Sequence, residues 1–413
     1  MYRLIVVTLS AFALVGTLAI STDAVAKKGG SGNGNGGGED PPPPIGPIGD
    51  ECAGTADFPS LVYQVSTTEN AGSRNNERTI HSVYLASSDR SCSLLIYRGN
   101  ESVVVPSGFV LVGSHGQIIS RRQTPCEKPR WCNAGEEFIR LAFDVDGGGA
   151  ITTPLPLVPE TVYNDSRNIG DPILSPDGNE IYFSSYLASE DPNVPWLATI
   201  EMVDLAACTP PACSAQVISS GAGLGFGSMT ISPDGTRIYT NVDDAAVSDP
   251  GTYGIALLER DADGSWLSDL KYAVNNWDDN YSLARFGVAY PAVALLDLAR
   301  NGTLREVLAV PREEEGAATN GDFDLIDVED CHVLTIVDTC VGDGSTTLIE
   351  SYVEGWIIGF TGFPSDANLA TGPTMFVLRD DNGNLDPHEI DPITLQDFGV
   401  VASGTGFAID SAD

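Results

Sequence analysis

Three short runs of the chain offer oxygen ligands at the spacing a hard cation needs. Asp144-Val-Asp146-Gly, Asp261-Ala-Asp263-Gly and Asp380-Asp381-Asn382-Gly-Asn384 put carboxylates and amide carbonyls on alternate residues of a turn, and calcium is held by just such oxygens. Calcium is therefore the cofactor the sequence suggests, with Asp144, Asp146, Asp380, Asn382 and Asn384 as candidate ligands. No run continues to the closing glutamate of a complete calcium loop. Each also falls where an Asp-Gly or Asn-Gly turn is wanted for backbone reasons alone, so a plain turn competes with the ligand reading. The cluster Asp322, Asp324, Asp327, Glu329 and Asp330 is a further cation patch or a solvated strand edge. Covalent chemistry finds no support. There is no Gly-x-Ser-x-Gly elbow. Ser268-Asp-Leu-Lys271 matches Ser-x-x-Lys by letter but falls on an expected strand. Gly221, Gly223, Gly225 and Gly227 precede a strand rather than the helix a phosphate loop requires.

The elements that position these residues repeat. Ile173-Leu-Ser-Pro-Asp-Gly178-Asn-Glu-Ile-Tyr182-Phe183 returns 57 residues later as Thr230-Ile-Ser-Pro-Asp-Gly235-Thr-Arg-Ile-Tyr239-Thr240. Proline presets the first turn angle, aspartate bonds its own backbone and glycine accepts positive φ, so each copy reads as a tight β-hairpin. Fainter copies are expected at Gly113 to Ile119 and at Leu325 to Leu334. A second hairpin per unit is expected at Phe143 to Ile151, Leu258 to Leu267, Leu296 to Leu304 and Phe376 to Leu385, with the Cys208 to Cys213 loop in its place in one unit. Two hairpins make four strands per unit, and such units repeated radially form a propeller. The Ser-Pro-Asp-Gly-x-x-Ile-Tyr signature resembles the repeat of TolB-like, or WD40-like (PD40), β-propellers. The resemblance is specific over about Gly170 to Leu267. It implies an all-β fold of four-stranded antiparallel blades, six in number with seven as the alternative, and it assigns no activity.

Placing the strand before each Pro-Asp-Gly turn innermost sends those turns to one face. The other face then gathers the segments Asn168 to Asp171, Gly225 to Ser228 and Gly321 to Asp324, with the loops Tyr186 to Trp196 and Asn241 to Asp249. On this geometry Asp171, Tyr186, Trp196, Ser228, Asp243, Asp244 and Asp322 are the candidate binding residues. Some propeller lyases and lactonases hold a metal in the channel, and His81, His115, His332 and His388 are the chain's only histidines. His115 and His332 fall beside turns, away from the expected ligand face.

The formal charge of −36 repels phosphate backbones and anionic lipid, which makes nucleic acid and membrane surfaces poor partners and cations or cationic proteins better ones. Leu4 to Ile20 is an apolar run followed by Ala24-Val-Ala26, the pattern of a signal peptide over residues 1–26; an uncleaved anchor is the rival reading. Residues 27–50 form a Gly-rich tether entering Pro41 to Pro44, and 51–413 form the folded domain. Eight cysteines in an exported chain favour disulfides, with local spacing pairing Cys126 with Cys132, Cys208 with Cys213, Cys331 with Cys340, and Cys52 with Cys92. The expectation is a periplasmic or extracellular binding or scaffold protein without catalytic activity, contacting a protein, peptide or glycan. A metal-assisted lyase or lactonase is the alternative.

Overall fold

The computed structural model describes Cys52 and residues 61–69, 78–87, 92–104, 108–113, 115–123, 135–144, 157–165, 167–187, 197–210, 213–222, 224–244, 253–267, 271–274, 292–296, 303–312, 320–328, 348–354, 356–362, 375–381, 384–390, 397–400 and 405–410. The expected leader and tether, residues 1–50, lie outside the described residues. So do Cys126, Cys132, Cys331 and Cys340.

The described strands form six antiparallel sheets. The first contains β1 (Leu61–Glu69), β2 (Arg78–Ala86) and β3 (Ser93–Gly99). The second contains β4 (Phe109–Val112), β5 (His115–Gln123), β6 (Glu136–Asp144) and β7 (Glu160–Asp165). In the third, β8 (Asn168–Ile169) and β9 (Ile173–Leu174) both pair with β10 (Glu180–Leu187), followed by β11 (Leu197–Asp204) and β12 (Gln216–Ala222). The fourth contains β13 (Leu224–Ile231), β14 (Arg237–Asp244), β15 (Tyr253–Glu259) and β16 (Lys271–Val274). The fifth contains β17 (Ala292–Leu296), β18 (Arg305–Arg312), β19 (Asn320–Asp327) and β20 (Leu348–Glu354). The sixth contains β21 (Trp356–Gly362), β22 (Met375–Asp381), β23 (Asn384–Ile390) and β24 (Asp397–Val400). A final strand, β25 (Thr405–Asp410), returns to the first sheet and pairs with β1 from Leu61↔Asp410 to Val65↔Thr405.

Neighbouring sheets pack on one another. β13 lies against β9, β10 and β11 on one side and β17 on the other, β21 against β17, β18 and β19, and β25 against β21, β22 and β23. A strand covered on both faces loses the in-out alternation of a half-exposed sheet. Ile181, Tyr182 and Phe183 in β10, and Ile238, Tyr239 and Thr240 in β14, are accordingly all buried in succession. Between the second and third sheets Phe183 meets Phe138 edge-on at 4.8 Å and Tyr163 at 5.3 Å, arrangements worth about 0.5–1.5 kcal/mol each beyond their area.

The two Pro-Asp-Gly hairpins are the same object built twice. The Gly178 amide donates to the Ser175 carbonyl at 2.8 Å, Ser175 Oγ donates to Asp177 at 2.6 Å, and the Glu180 amide donates back to Ser175 Oγ at 2.9 Å. Ser232, Asp234, Gly235 and Arg237 repeat these bonds at 2.8, 2.6 and 2.9 Å. Gly178 and Gly235 adopt φ of 72° and 71°, the left-handed residue that closes a type I turn into a hairpin.

Three sequence expectations need correction. Leu325 to Asp327 does not open a unit: it ends β19, the third strand of the fifth sheet, whose first hairpin is β17–β18 across Asn301-Gly302. Asn382-Gly383 joins the second and third strands of the sixth sheet, not the third and fourth. Gly321 to Asp324 therefore belongs to a middle strand, β19, rather than to a first strand. In each case the apolar alternation is the same on any strand, so it marks a strand without marking its rank in the sheet.

Candidate binding surface at the sheet ends

Each sheet has two ends. The first hairpin and the third-to-fourth connection form one, the turn end; the second-to-third connection forms the other, the loop end. Asp171 and Tyr186 both belong to the third sheet, Tyr186 at its loop end and Asp171 within its first strand. Pro172 cannot donate to a ladder, so the first strand breaks between β8 and β9, and Gly170 restores contact with an amide bond to the Ser184 carbonyl at 2.7 Å. Asp171, at the break, pairs with Arg121 of the second sheet at 3.3 Å. Arg121 also donates to the Ile169 carbonyl, while Glu136 accepts from the Ile169 amide at 2.7 Å. Tyr186 sits opposite Asn168, half-buried against the core. Ser228 occupies an irregularity in β13 between Phe226 and Met229, where a side chain at Gly227 would crowd Asn241 Cβ at 3.1 Å. Asp243 and Asp244 face Gly225 and Leu224 across β13–β14. Asp322 lies on β19 opposite Arg312 and Tyr352, outside the first-strand position expected for it. Trp196 lies outside the described residues.

The residues that dominate this end were not singled out from the sequence. Arg167, in the segment joining the second sheet to the third, grips Glu201 with two bonds of 2.7 and 2.9 Å and Asp165 with bonds of 3.0 and 2.7 Å. Glu201 is buried and accepts further bonds from Ser185 Oγ at 2.5 Å and Thr199 Oγ1 at 2.8 Å. Burial works against the charge on Asp165, but its bonds from Arg167 and Tyr163 outweigh this and hold its pKa at about 2. Bonds to Asp165, then to Glu201, raise the Arg167 guanidinium further above its usual range against a burial penalty. Burial and the Asp165 bond push the Tyr163 hydroxyl well above that of an ordinary phenol. The Tyr163-x-Asp165-x-Arg167 spacing, which puts alternate residues on one side of an extended chain, was the available signal.

At the turn end, charges bridge successive sheets in a swapped pattern. Tyr182 and Glu180 of the third sheet both meet Arg260 of the fourth, which also stacks 4.7 Å over Trp266. One sheet on, Tyr239 and Arg237 meet Glu306 of the fifth. Unit and successor thus exchange the acid and the base around an equivalent tyrosine. Burial, and then the adjoining carboxylate, raises both phenols.

Of the proposed cation ligands, Asp144 is bonded to His115 Nδ1; Asp146 and Asn382 lie outside the described residues; Asp380 and Asn384 sit on β22 and β23, out of direct register. Among the described residues no three His, Cys, Asp or Glu side chains converge in a metal-holding group. His81 is buried, which lowers its pKa, and bonds Ser66 Oγ at 2.9 Å. Cys52–Cys92 and Cys208–Cys213 are disulfides, with Cα atoms 5.4 and 5.2 Å apart, which fits an oxidising compartment. Among the described residues no helix is long and apolar enough to cross a membrane.

No protein-family model and no curated protein matches the chain. Among solved structures it is similar to a puromycin hydrolase, at 14% identity and TM-score 0.40 over 85% of this chain and 46% of that one. It is similar also to a chain of a nidogen/laminin complex, at 9% identity and TM-score 0.40 over 85% and 98%. A third is the periplasmic gluconolactonase of Pseudomonas aeruginosa, at 14% identity and TM-score 0.38 over 85% and 83%. The chain spans about half the length of the puromycin hydrolase it matches. What the sheets define is an all-β protein of antiparallel sheets; likeness at this level assigns it to none of these proteins.

Proposed function

We propose that the chain is an exported, non-catalytic binding or scaffold protein, a six-bladed propeller of the TolB-like kind that offers its sheet ends to a protein, peptide or glycan. The observation that carries the reading is the use made of buried charge. Among the described residues the buried acids are Glu137, Glu201 and Glu306, and each is bonded to an arginine: Arg122, Arg167 and Arg237. Acids held this way fasten strands and sheets together, and the hydroxyls beside them, Ser185 and Thr199 at Glu201 and Tyr239 at Glu306, are buried with them as donors in the same bridges.

Four-stranded meanders in chain order, packing from sheet to sheet and the pairing of β25 with β1 support the propeller. The apolar leader, the Gly/Pro tether and the disulfides support export to the periplasm or the exterior. The charge of −36 favours a cationic partner surface over nucleic acid or anionic lipid.

The test is to purify the chain after export and assay it on peptide and glycan panels and on sugar lactones and polysaccharides, with and without calcium. Saturable binding without turnover is expected. Metal-dependent turnover of a lactone or glycan at about 1 s⁻¹ or faster, an ordinary enzyme rate, would overturn the reading in favour of the lyase or lactonase.

A further inference from the structure

The chain's bases are few and already engaged. Acids outnumber them by 57 to 21, and only four of the 21 are lysines: Lys27, Lys28, Lys128 and Lys271. Nine arginine side chains lie among the described residues, and every one of them stands in an ion pair. Arg78 and Arg98, both on Glu69, are 58% and 42% exposed. The other seven are a third exposed or less. The excess of 36 negative charges is left to mobile cations. Strand register adds like charge to like: Glu136 stands opposite Asp165, with Arg121 and Arg167 beside them, and Asp324 stands opposite Glu350 with Val310 as its partner on the other side. Like charges directly opposite destabilise a sheet.

Distance decides how salt acts on the repulsion and on the bridges. A compact unit of roughly 360 residues has a radius of gyration of about 21 Å, equivalent to a sphere of about 27 Å radius. The excess charges spread over such a sphere stand roughly 16 Å apart, by the same scaling. The Debye length is about 30 Å at about 0.01 M salt, about 10 Å at 0.1 M and about 3 Å at 1 M. Neighbouring excess charges therefore repel in dilute solution and cease to sense one another at molar salt. The bridges are contacts between mostly half-buried groups, which salt screens far less. In the unfolded chain, with a radius of gyration of about 68 Å, the same charges lie further apart, so the repulsion weighs chiefly on the folded state.

We infer that ionic strength regulates this fold: the protein is held back from folding in dilute solution and gains stability up to molar salt, by screening and not through a bound ion. The inference goes beyond the binding reading and stands without it. On the export route it ties the folded state to a saline exterior.

Thermal unfolding of the exported full chain, read by circular dichroism at neutral pH in about 0.01, 0.1 and 1 M sodium chloride, tests it. Tm is expected to climb at each step, by at least about 10 °C between the last two. Choline chloride should give the same curve, because screening depends on the valence of the cation and not on its identity. Asp324→Asn with Glu350→Lys should raise Tm by about 1 to 2 °C in the most dilute buffer, and this gain should vanish at the highest salt, which separates screening from the general stabilisation of proteins by concentrated salt. A Tm that stays flat or falls as salt is added would overturn the inference, since the bridges would then outweigh the repulsion. So would a full rise in Tm with calcium chloride at about 0.1 mM, where screening is negligible, since stabilisation by so little cation is the mark of a bound ion. A gain in the double variant that is absent in dilute buffer, or undiminished at the highest salt, would overturn it equally.

Discussion

Replacing Arg167 by methionine isolates the bridge between the second and third sheets. The guanidinium makes both hydrogen bonds to Glu201, whose side chain is 2% exposed, and both to Asp165. Methionine keeps much of the volume and removes the charge. Glu201 then retains its bonds from Ser185 and Thr199 but stays in the interior with no cation. Breaking a buried pair from one side costs about 3 to 5 kcal/mol, because the remaining charge is uncompensated. For a folded unit of roughly 350 residues this lowers Tm by roughly 4 to 7 °C. Urea unfolding followed by tryptophan fluorescence reads the free energy, with an unchanged slope confirming that the native state alone was altered. Adding Glu201→Gln to Arg167→Met should recover at least half of the loss, since the amide oxygen still accepts the hydroxyl bonds without a buried charge. A cost below about 1 kcal/mol for Arg167→Met, or no recovery in the double variant, would refute the argument that this arginine compensates the buried Glu201.

The same network predicts acid sensitivity. The Asp165 pKa is about 2 in the fold against about 3.9 unfolded, so its contribution is fully present above pH about 4 and lost as the pH falls toward about 2. Discounted for solvent screening it is worth about 1 to 2 kcal/mol, and Asp165→Asn should flatten the stability profile in that window. Gly235→Ala should cost about 1 to 2 kcal/mol for a left-handed alanine. Gly178→Ala, at nearly the same φ, should cost more in the same unfolding assay, because its Cβ would also strike Gln117 and press on Val110 at 3.0 Å. Replacing Cys52 and Cys92 by serine should destabilise more than replacing Cys208 and Cys213. Their loops of 40 and 5 residues correspond to about 4 and about 2 kcal/mol of chain entropy.

The Pro-Asp-Gly hairpins were legible because the turn's backbone demands fall on four consecutive residues, and Ser175 and Ser232 perform the bonding their type suggests. The five-residue disulfide spacing at Cys208 was legible for a similar, local reason. The fifth and sixth sheets were misassigned because Leu325-Ile326-Asp327 has an alternation any strand can carry. The bridges were invisible for a different reason. Arg260 reaches Glu180 across 80 residues and Arg237 reaches Glu306 across 69, and nothing in either neighbourhood names its partner until the sheets are stacked. Asp171 shows both sides of this. The hairpin geometry assigned it to the segment leading into the first strand, where it lies within that strand at the break between β8 and β9, whereas its ion pair with Arg121 depends on how the second sheet meets the third.

The pairing of β25 with β1 sets a timetable. The two strands lie roughly 340 residues apart in the chain yet share one sheet. At about 5 to 20 residues per second of synthesis, β1 waits some 17 to 70 s, by the same rate, for the partner on its second edge. An unpaired edge in that interval recruits wrong strands readily. A chain that crosses a membrane unfolded and meets its own residues 405–410 only on the far side avoids the wait, because both strands then become available together. On the export route proposed above, release from translocation, rather than emergence from the ribosome, becomes the event that completes the first sheet.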